Sequence, residues 1–241
     1  MMVLSVVDAN KPIKAITFDL DGTLWDLEPV IAEADRKLHE WFALHYPAIS
    51  SAFSIYDMRR LRTELLKRHP TLRHDVTELR KSSIRIAAER VGIGPTVAEE
   101  AFEVFIVYRN QVELFDDVLP VLKRLRNRYM LCSLTNGNAD IVRVGLGDIF
   151  DHALTAADVG SAKPEPTMFM QACRLTGNTP EQMLHIGDEA ETDILGANTV
   201  GFRTIWINRK NETWKHECRP HAQIESLSEL ETVLATWHSD G

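Results

Sequence analysis

The 241-residue sequence predicts an α/β fold, a doubly wound parallel sheet with a helical insertion after its first strand. A short apolar stretch at Ala15–Phe18 is typical of a buried strand. Apolar residues at helical spacing then run almost without interruption from Ile31 to Arg109. From Val118 onward helix-like and strand-like segments alternate, which indicates parallel strands covered by helices on both faces.

The insertion is expected to be a helical cap with a core of its own. Its first helix carries apolar residues on one face, at Ile31, Ala34, Leu38, Trp41 and Phe42. The run Gly92–Pro95 breaks the pattern before a last helix at Val97–Tyr108. These limits place the sheet core at residues 1–25 and 112–241 and the helical cap at residues 26–111.

The segments after the insertion supply the rest of the sheet. Strands are expected at Tyr129–Leu134, Ala153–Thr155, Met183–Ile186 and Arg203–Ile207. Helices are expected at Val118–Arg126, Ile141–Leu146, Thr167–Leu175 and Ile194–Val200. Because ligands bind outside the carboxyl ends of parallel strands, polar residues that follow these strands are candidates for one common site.

Composition predicts a globular protein that acts on small molecules. Hydrophobic residues make up 44% and charged residues 26%, and no apolar run approaches the roughly 20 residues of a membrane helix. The net charge of -8 argues against a nucleic-acid partner. The apolar patch Met2–Val7 lacks the flanks of a signal peptide. Three widely spaced cysteines form no disulfide pattern and are expected to be reduced thiols. A cytoplasmic protein is expected, as a monomer or weak dimer.

Two carboxylates follow the first predicted strand, within the heptapeptide Phe18–Leu24. Asp19 is suited to attack phosphorus as a nucleophile. Asp21, two residues later, is suited to protonate the leaving oxygen and then to deprotonate the water that hydrolyses the aspartyl-phosphate. The pair therefore predicts catalysis of phosphoryl transfer.

Further motifs supply complementary groups in chain order. Thr135 and Asn136 end the second predicted strand with a hydroxyl and an amide that can bind a phosphoryl oxygen. Lys163 adds a cation, so Thr135 and Lys163 are expected to serve both catalysis and substrate binding. Asp188 and Asp193 follow another apolar stretch and offer oxygen ligands to a divalent metal.

Charge predicts that this metal is Mg²⁺. A phosphate dianion beside four carboxylates would be repelled, since each like-charged pair at a few Å costs about 1 to 4 kcal/mol even at a high effective dielectric. One lysine does not balance this repulsion. Mg²⁺ suits a site of few carboxylates, retained waters and substrate phosphate.

The four motifs in this order resemble the signature of the haloacid dehalogenase (HAD) superfamily, from Ile13 to about Ile207. The resemblance implies a Rossmann-like core, a C1-type helical cap that serves as a lid, and hydrolysis of a small phosphate monoester. It also implies the metal ligands, which are the carboxylates of Asp19 and Asp188 and the backbone carbonyl of Asp21.

The role of Asp193 is left between two alternatives. It is expected to orient Lys163 or a metal-bound water, and direct contact with the metal is the other alternative.

Other reactions of the superfamily fit the motifs less well. Dehalogenases need no acid at the position of Asp21, and phosphonate hydrolases use a cap lysine that nothing in the insertion singles out. Mutases keep both acids and stay open as an alternative to hydrolysis. A non-catalytic, phosphate-responsive binding module is the alternative of another class, against which the intact set of catalytic residues argues.

A closer resemblance lies outside these motifs, in Trp25-Asp26, Pro29-Val30-Ile31, His45-Tyr46-Pro47-Ala48, His74-Asp75-Val76-Thr77 and the tail Trp206-Ile207-Asn208 with Trp214. These segments resemble bacterial phosphatases that act on flavin mononucleotide (FMN) and on the riboflavin precursor 5-amino-6-(5-phospho-D-ribitylamino)uracil. The resemblance implies one of these substrates, with small sugar phosphates or phosphoglycolate as the alternative. Trp25 is expected to wall the leaving-group pocket or to stack on a planar ring. Gly22 departs from those relatives, which often carry a second Asp there.

Overall fold

The structure is a computed structural model that describes residues 11–239. The expectation about Met2–Val7 lies outside the described residues. Among the described helices, none has both the length and the apolar character needed to cross a membrane.

A six-stranded parallel sheet forms the core of the fold, and its strand order is β3-β2-β1-β4-β5-β6. The strands are β1 (Ala15–Phe18), β2 (Met130–Thr135), β3 (His152–Thr155), β4 (Met183–Gly187), β5 (Arg203–Ile207) and β6 (Ala222–Ile224). Because β1 lies in the middle with β2 and β4 as neighbours, the residues that follow these three strands meet at one edge of the sheet. The predicted fold class is confirmed.

The insertion is helical from end to end. Its helices are α1 (Leu27–His45), α2 (Pro47–Ala52), α3 (Ile55–Arg68), a short 3₁₀ helix (Pro70–His74), α4 (Val76–Arg90) and α5 (Val97–Arg109). Helix α1 buries Val30, Ala34, Leu38 and Phe42, which lie one helical turn apart. Ala34, Leu38 and Phe42 belong to an apolar core together with Phe105 of α5, so the insertion has its own hydrophobic interior.

The remaining helices cover the sheet. They are α6 (Val118–Leu125), α7 (Ala156–Val159), α8 (Pro166–Thr176), α9 (Gly196–Thr199) and α10 (Leu230–Ser239). Short 3₁₀ helices occur at Pro180–Gln182 and Leu227–Glu229, and a π-helix at Ala190–Leu195. Helix α8 packs Met168, Phe169 and Ala172 into a second apolar core.

The described chain divides into two compact units. The core unit comprises residues up to Asp26, Glu113–Asn136 and the chain from Gly145 on, and the cap unit comprises Leu27–Val112 and Gly137–Val144. The sequence-based boundaries assigned residues 137–144 to the core. Within the cap unit, Asn138 Nδ2 donates to Thr77 Oγ1 (3.1 Å), and the Asp140 backbone N–H donates to Asn110 Oδ1 (2.8 Å).

The helix expected at Ile141–Leu146 is a single turn, so this prediction is wrong. The Val144 N–H bonds to the Asp140 carbonyl at 3.0 Å, but Gly145 then adopts a positive φ of 82°. A glycine in the left-handed conformation ends a helix. The helical turn therefore stops at Gly145, although the apolar residues of this segment have helical spacing.

Candidate active site

Asp19 is the first residue after β1, and its position is set by the sheet. Its backbone N–H donates to the Ile186 carbonyl of β4 at 2.9 Å, which continues the ladder by one residue beyond β1. The residue is only 8% exposed. The sheet thus holds the Asp19 carboxylate at its carboxyl edge with little freedom to move.

Lys163 joins two carboxylates in the interior of the site. Its Nζ lies 2.5 Å from Asp19 Oδ1 and 2.6 Å from Asp193 Oδ1. The lysine is 1% exposed, so both contacts are shielded from water. Charge-assisted hydrogen bonds of this kind are stronger than neutral ones, and they fix the ammonium between the two acids.

Asn136 positions the lysine loop. Its Nδ2 donates to the Lys163 carbonyl (2.9 Å), and the Lys163 backbone N–H donates to Asn136 Oδ1 (2.8 Å). Both ends of the amide are therefore engaged by the Lys163 backbone, and the expected contact of this side chain with substrate stays a prediction. Thr135, the last residue of β2, is buried beside it.

Both carboxylate oxygens of Asp193 contact other groups of the protein. Oδ1 faces His185 Nε2 at 3.3 Å in addition to Lys163, and Oδ2 accepts the Glu189 backbone N–H at 3.0 Å. The π-helix that carries Asp193 follows Gly187 closely, and a β-carbon at Gly187 would lie 2.3 Å from the Asp193 carboxyl group. The contacts of Asp193 with Lys163 and with the Glu189 backbone fit the orienting role, and direct contact with the metal stays the alternative.

Asp188 is fixed by two residues that were not predicted to belong to the site. Thr23 Oγ1 donates to Asp188 Oδ1 (3.0 Å), and Trp206 Nε1 donates to the Asp188 carbonyl (2.7 Å). The signal for Thr23 was present, since its hydroxyl lies two residues after Asp21 in the same motif. Trp206 belongs to a strand of its own, and only the pairing of β5 with β4 brings it to Asp188.

Burial and crowding shift the acidity of these groups. Burial raises the pKa of Asp19 well above its usual value, although the Lys163 ammonium opposes the shift. Burial, followed by the charge of Asp193, raises the pKa of Asp188 to about 7. Burial acts in the same direction on Asp193, but the charges and hydrogen bonds of Lys163 and His185 together outweigh it and hold the pKa of this carboxyl below its usual range.

The acidic cluster fits a hard divalent cation. Asp19, Asp188 and Asp193 each place a carboxylate oxygen within 4.8 Å of the others, and Lys163 is the cation paired with two of them. Among the described residues, these three carboxylates face one lysine ammonium, so a further cation would balance the negative charge of the cluster. Oxygen donors of this kind are the ligands that Mg²⁺ prefers.

Trp25 does not occupy the position expected of it. The residue is 0% exposed, so the ring has no face to offer a substrate. Its Nε1 instead donates to Asp21 Oδ1 at 2.9 Å. Trp25 was expected to wall the leaving-group pocket or to stack on a planar ring, but in this structure its ring is buried and its N–H is engaged by the carboxylate of Asp21.

Beside Asp188 the core unit contains a cavity of about 630 Å³. Gly22, Asp188, Trp206, Arg209 and Trp214 are among the residues that line it. The rings of Trp206 and Trp214 meet edge to face, with centroids 5.0 Å apart. Both tryptophans belong to the tail that resembles the flavin-pathway phosphatases, but neither was predicted to line a site.

The site consists of buried carboxylates that follow strands of a parallel sheet and a buried lysine from the loop after α7, on a Rossmann-like core. A family model for haloacid dehalogenase-like hydrolases matches residues 13–201, and the chain belongs to that family. The resemblance predicted from the sequence is confirmed.

Relatives with named activities agree with this assignment. The 5-amino-6-(5-phospho-D-ribitylamino)uracil phosphatase YigB of Escherichia coli is 33% identical over 92% of this chain and 96% of its own. Among solved structures, a HAD phosphatase from Thermococcus onnurineus superposes with a TM-score of 0.67, at 27% identity over 92% of this chain and 98% of that chain. The chain is thus an enzyme of the HAD hydrolase family, and these two relatives are named phosphatases.

One similar structure is named for a different reaction. A 2-haloacid dehalogenase from Pseudomonas syringae superposes with a TM-score of 0.89, at 38% identity over 93% of this chain and 99% of that chain. Both reactions are compatible with the shared fold, so the distinction between them depends on the residues of the site.

Proposed function

We propose that the protein is a Mg²⁺-dependent phosphate monoester hydrolase that forms an aspartyl-phosphate on Asp19. The observation that carries the proposal is the buried contact of Lys163 Nζ with both Asp19 Oδ1 and Asp193 Oδ1. The ammonium holds the nucleophile at the sheet edge and supplies positive charge where phosphoryl oxygens would lie.

The residues present account for each proton and bond of the reaction. A carboxylate oxygen of Asp19 attacks phosphorus as the bond to the leaving oxygen breaks, and protonated Asp21 gives its proton to that oxygen. Asp21, now a carboxylate, takes a proton from a water molecule that attacks phosphorus, and the bond from phosphorus to Asp19 breaks. Inorganic phosphate leaves, and Asp21 is protonated again.

Mg²⁺ would be held by the carboxylates of Asp19 and Asp188 and the backbone carbonyl of Asp21. When bound, it neutralises charge on the phosphoryl group and the surrounding acids. Thr23 and Trp206 would orient Asp188 for this purpose, since they donate to its carboxylate and its backbone carbonyl, respectively.

For the substrate, we propose FMN or 5-amino-6-(5-phospho-D-ribitylamino)uracil. The support comes from the named activity of the 33% identical relative and from the cavity of about 630 Å³ beside Asp188. Cavities of this size accommodate drug-sized ligands, and the half-buried Trp214 in the lining would offer an aromatic contact to a planar ring. Trp214 thus replaces Trp25 as the residue proposed to contact the ring.

The test is a substrate panel with purified protein and Mg²⁺. Phosphate release is measured on the two ribityl-linked esters, hexose phosphates and phosphoglycolate, and halide release on chloropropionate. We expect the ribityl-linked esters to give the highest kcat/KM and chloropropionate to give no halide. A hexose phosphate or phosphoglycolate ahead by about tenfold, or 1.4 kcal/mol, contradicts the substrate but not the reaction.

Two other outcomes identify another class of function. Halide release without phosphate release identifies a dehalogenase, the activity for which the 38% identical structure is named. Binding of phosphate esters without turnover identifies a phosphate-responsive binding module.

A further inference from the structure

The indole of Trp25 is bonded to the carboxylate that the proposed reaction uses as acid and base. Trp25 Nε1 donates to Asp21 Oδ1 at 2.9 Å, and the indole ring has no exposed surface. The ring is one of the largest fully buried side chains of the described protein. Water therefore does not compete with Asp21 for this N–H.

The loop that carries Asp21 also carries its donor, and backbone bonds close it on itself. The Gly22 N–H donates to the Trp25 carbonyl (2.8 Å), and the Leu24 N–H donates to the Leu20 carbonyl (2.8 Å). A residue from outside the loop also bonds to it, since the Phe115 N–H donates to the Leu24 carbonyl (3.0 Å). Donor and acceptor thus belong to one short, internally bonded loop, and their separation is set by that loop.

The chemistry of the indole decides what this contact does. An indole N–H donates a hydrogen bond and cannot accept one. A proton on Asp21 Oδ1 would therefore point away from the ring and leave a wholly buried N–H facing a poorer acceptor, which is unfavourable. A proton on Oδ2 leaves Oδ1 as a carbonyl-like acceptor and keeps the hydrogen bond intact.

We infer that Trp25 is a positioning residue that fixes the plane of the Asp21 carboxyl group and confines its transferable proton to Oδ2. The inference rests on the proposed phosphatase reaction. In that reaction the proton leaves Oδ2 for the leaving oxygen, and the water proton returns to Oδ2 in the second step. Oδ1 accepts the indole hydrogen bond throughout both steps.

This role predicts a dependence on the leaving group. An alkyl phosphate expels a basic oxygen that needs the proton of Asp21, whereas p-nitrophenyl phosphate expels a stable phenolate that needs it little. A residue that only supports the fold would affect both esters equally. A residue that positions the acid affects the alkyl ester selectively.

The experiment compares Trp25→Phe with wild-type protein on FMN and on p-nitrophenyl phosphate, with Mg²⁺ present. Phenylalanine keeps an aromatic ring and removes the N–H. We expect kcat/KM for FMN to fall about 10- to 100-fold, a part of the contribution of a general acid, and that for p-nitrophenyl phosphate to fall less than about threefold. In an Asp21→Asn background, Trp25→Phe should not lower kcat/KM for FMN any further. Both substitutions remove the same function, which is proton transfer by Asp21.

A matched control is Phe202→Leu, which alters another fully buried aromatic ring of the core unit, one that packs edge to face on Phe169. It should leave the ratio of the two kcat/KM values unchanged. If Trp25→Phe does not fold, as judged by thermal unfolding, benzothienylalanine introduced at position 25 keeps the bicyclic shape and replaces the N–H with sulfur.

The outcomes are distinguishable from those of the proposed function. An equal loss on both esters, or no loss on either, in a folded variant that lacks the N–H overturns the positioning role while the phosphatase reaction stands. A wild-type protein that releases phosphate from neither ester overturns the proposed function, and the positioning role with it. A decrease in kcat/KM that is selective for FMN supports both the positioning role of Trp25 and the phosphatase reaction.

Discussion

A β-carbon placed on Gly22 would lie 2.2 Å from Asp188 Oδ2, well inside contact distance. Gly22 also adopts a positive φ of 84°, a conformation that residues with side chains rarely adopt. The glycine that departs from the flavin-pathway pattern is thus required by this arrangement of the loop. Because Gly22 has no side chain, the carboxylate of Asp188, a proposed metal ligand, can lie directly beside it.

Gly22→Ala is predicted to displace Asp188 and to lower kcat by about 100-fold or more, since small misplacements in a site are costly. The matched control is Gly145→Ala. Gly145 has a nearly equal φ of 82°, but a β-carbon there meets no atom within 4 Å. Both variants should lose about 1 to 2 kcal/mol of stability from the left-handed backbone, and only Gly22→Ala should lose activity. Equal activities of the two variants contradict the prediction.

Asp19→Asn is predicted to reduce phosphatase activity to background, because an amide does not form the aspartyl-phosphate. Asp21→Asn should lower turnover of alkyl esters by about 100- to 10,000-fold. With p-nitrophenyl phosphate, Asp21→Asn should accumulate labelled phosphoenzyme, since the first step proceeds and the second lacks its base. Peptide mapping of radiolabelled protein locates the phosphate, and label on any residue other than Asp19 refutes the assignment.

Mg²⁺ is predicted to stabilise the folded protein, because it relieves the repulsion in the acidic cluster. At a concentration 100 times its Kd the stabilisation should reach about 2.7 kcal/mol, which raises Tm in a thermal unfolding scan. Asp188→Asn should abolish most of this shift. Glu191→Gln removes an exposed charge outside the cluster and should keep it. A Tm that does not respond to Mg²⁺ or to chelation in the wild-type protein disproves the metal assignment.

Asp35 of helix α1 is predicted to be essential for the stability of the cap unit. The carboxylate is buried and accepts from Arg80 (2.6 Å), Arg59 (2.8 Å) and Arg62 (3.3 Å). Asp35→Asn leaves Arg80, 6% exposed, without a counter-charge and should cost about 3 to 5 kcal/mol in the free energy of unfolding. The control is Glu33→Gln, which alters an exposed ion pair with Arg36 on the same helix. It should change the free energy of unfolding, measured in urea, very little.

The same carboxylate gives stability a defined pH dependence. Burial raises the pKa of Asp35, but the guanidinium groups of Arg80, Arg62 and Arg59 together outweigh it and hold the pKa below its usual value. A depressed folded pKa means that the stabilisation is complete above the unfolded pKa and is lost as pH falls through the folded pKa. Denaturant unfolding from pH 7 down to about pH 3 should therefore show a loss that Asp35→Asn lacks. Parallel curves for the two proteins would exclude this contribution.

Trp214→Ala is predicted to lower kcat/KM for ring-bearing phosphates and to spare hexose phosphates. Loss of an aromatic contact of about 0.5 to 1.5 kcal/mol corresponds to roughly a three- to twelvefold decrease. Trp237→Ala, which truncates a partly buried tryptophan of helix α10, serves as the control. A uniform decrease across all substrates, equal in both variants, shows that Trp214 does not contact the ring.

Much of the site could be predicted from the sequence, because residues that follow different strands of a parallel sheet lie close together at one edge of that sheet. Asp19 and Asp188 each follow an apolar stretch that reads as a strand, and strands of this type present their carboxyl ends at one edge. The order of the motifs along the sequence therefore determined that Asp19, Lys163, Asp188 and Asp193 would meet.

Only the tertiary structure decided which atom each side chain contacts. The Asn136 amide is engaged by the Lys163 backbone, and the Trp25 indole is buried against Asp21, although both residues read from the sequence as substrate contacts. Thr23 and Trp206 reach Asp188 across 165 and 18 residues of chain, respectively. Strand patterns depend on local periodicity, whereas a side-chain partner depends on the packing of distant segments, which no short window of sequence contains.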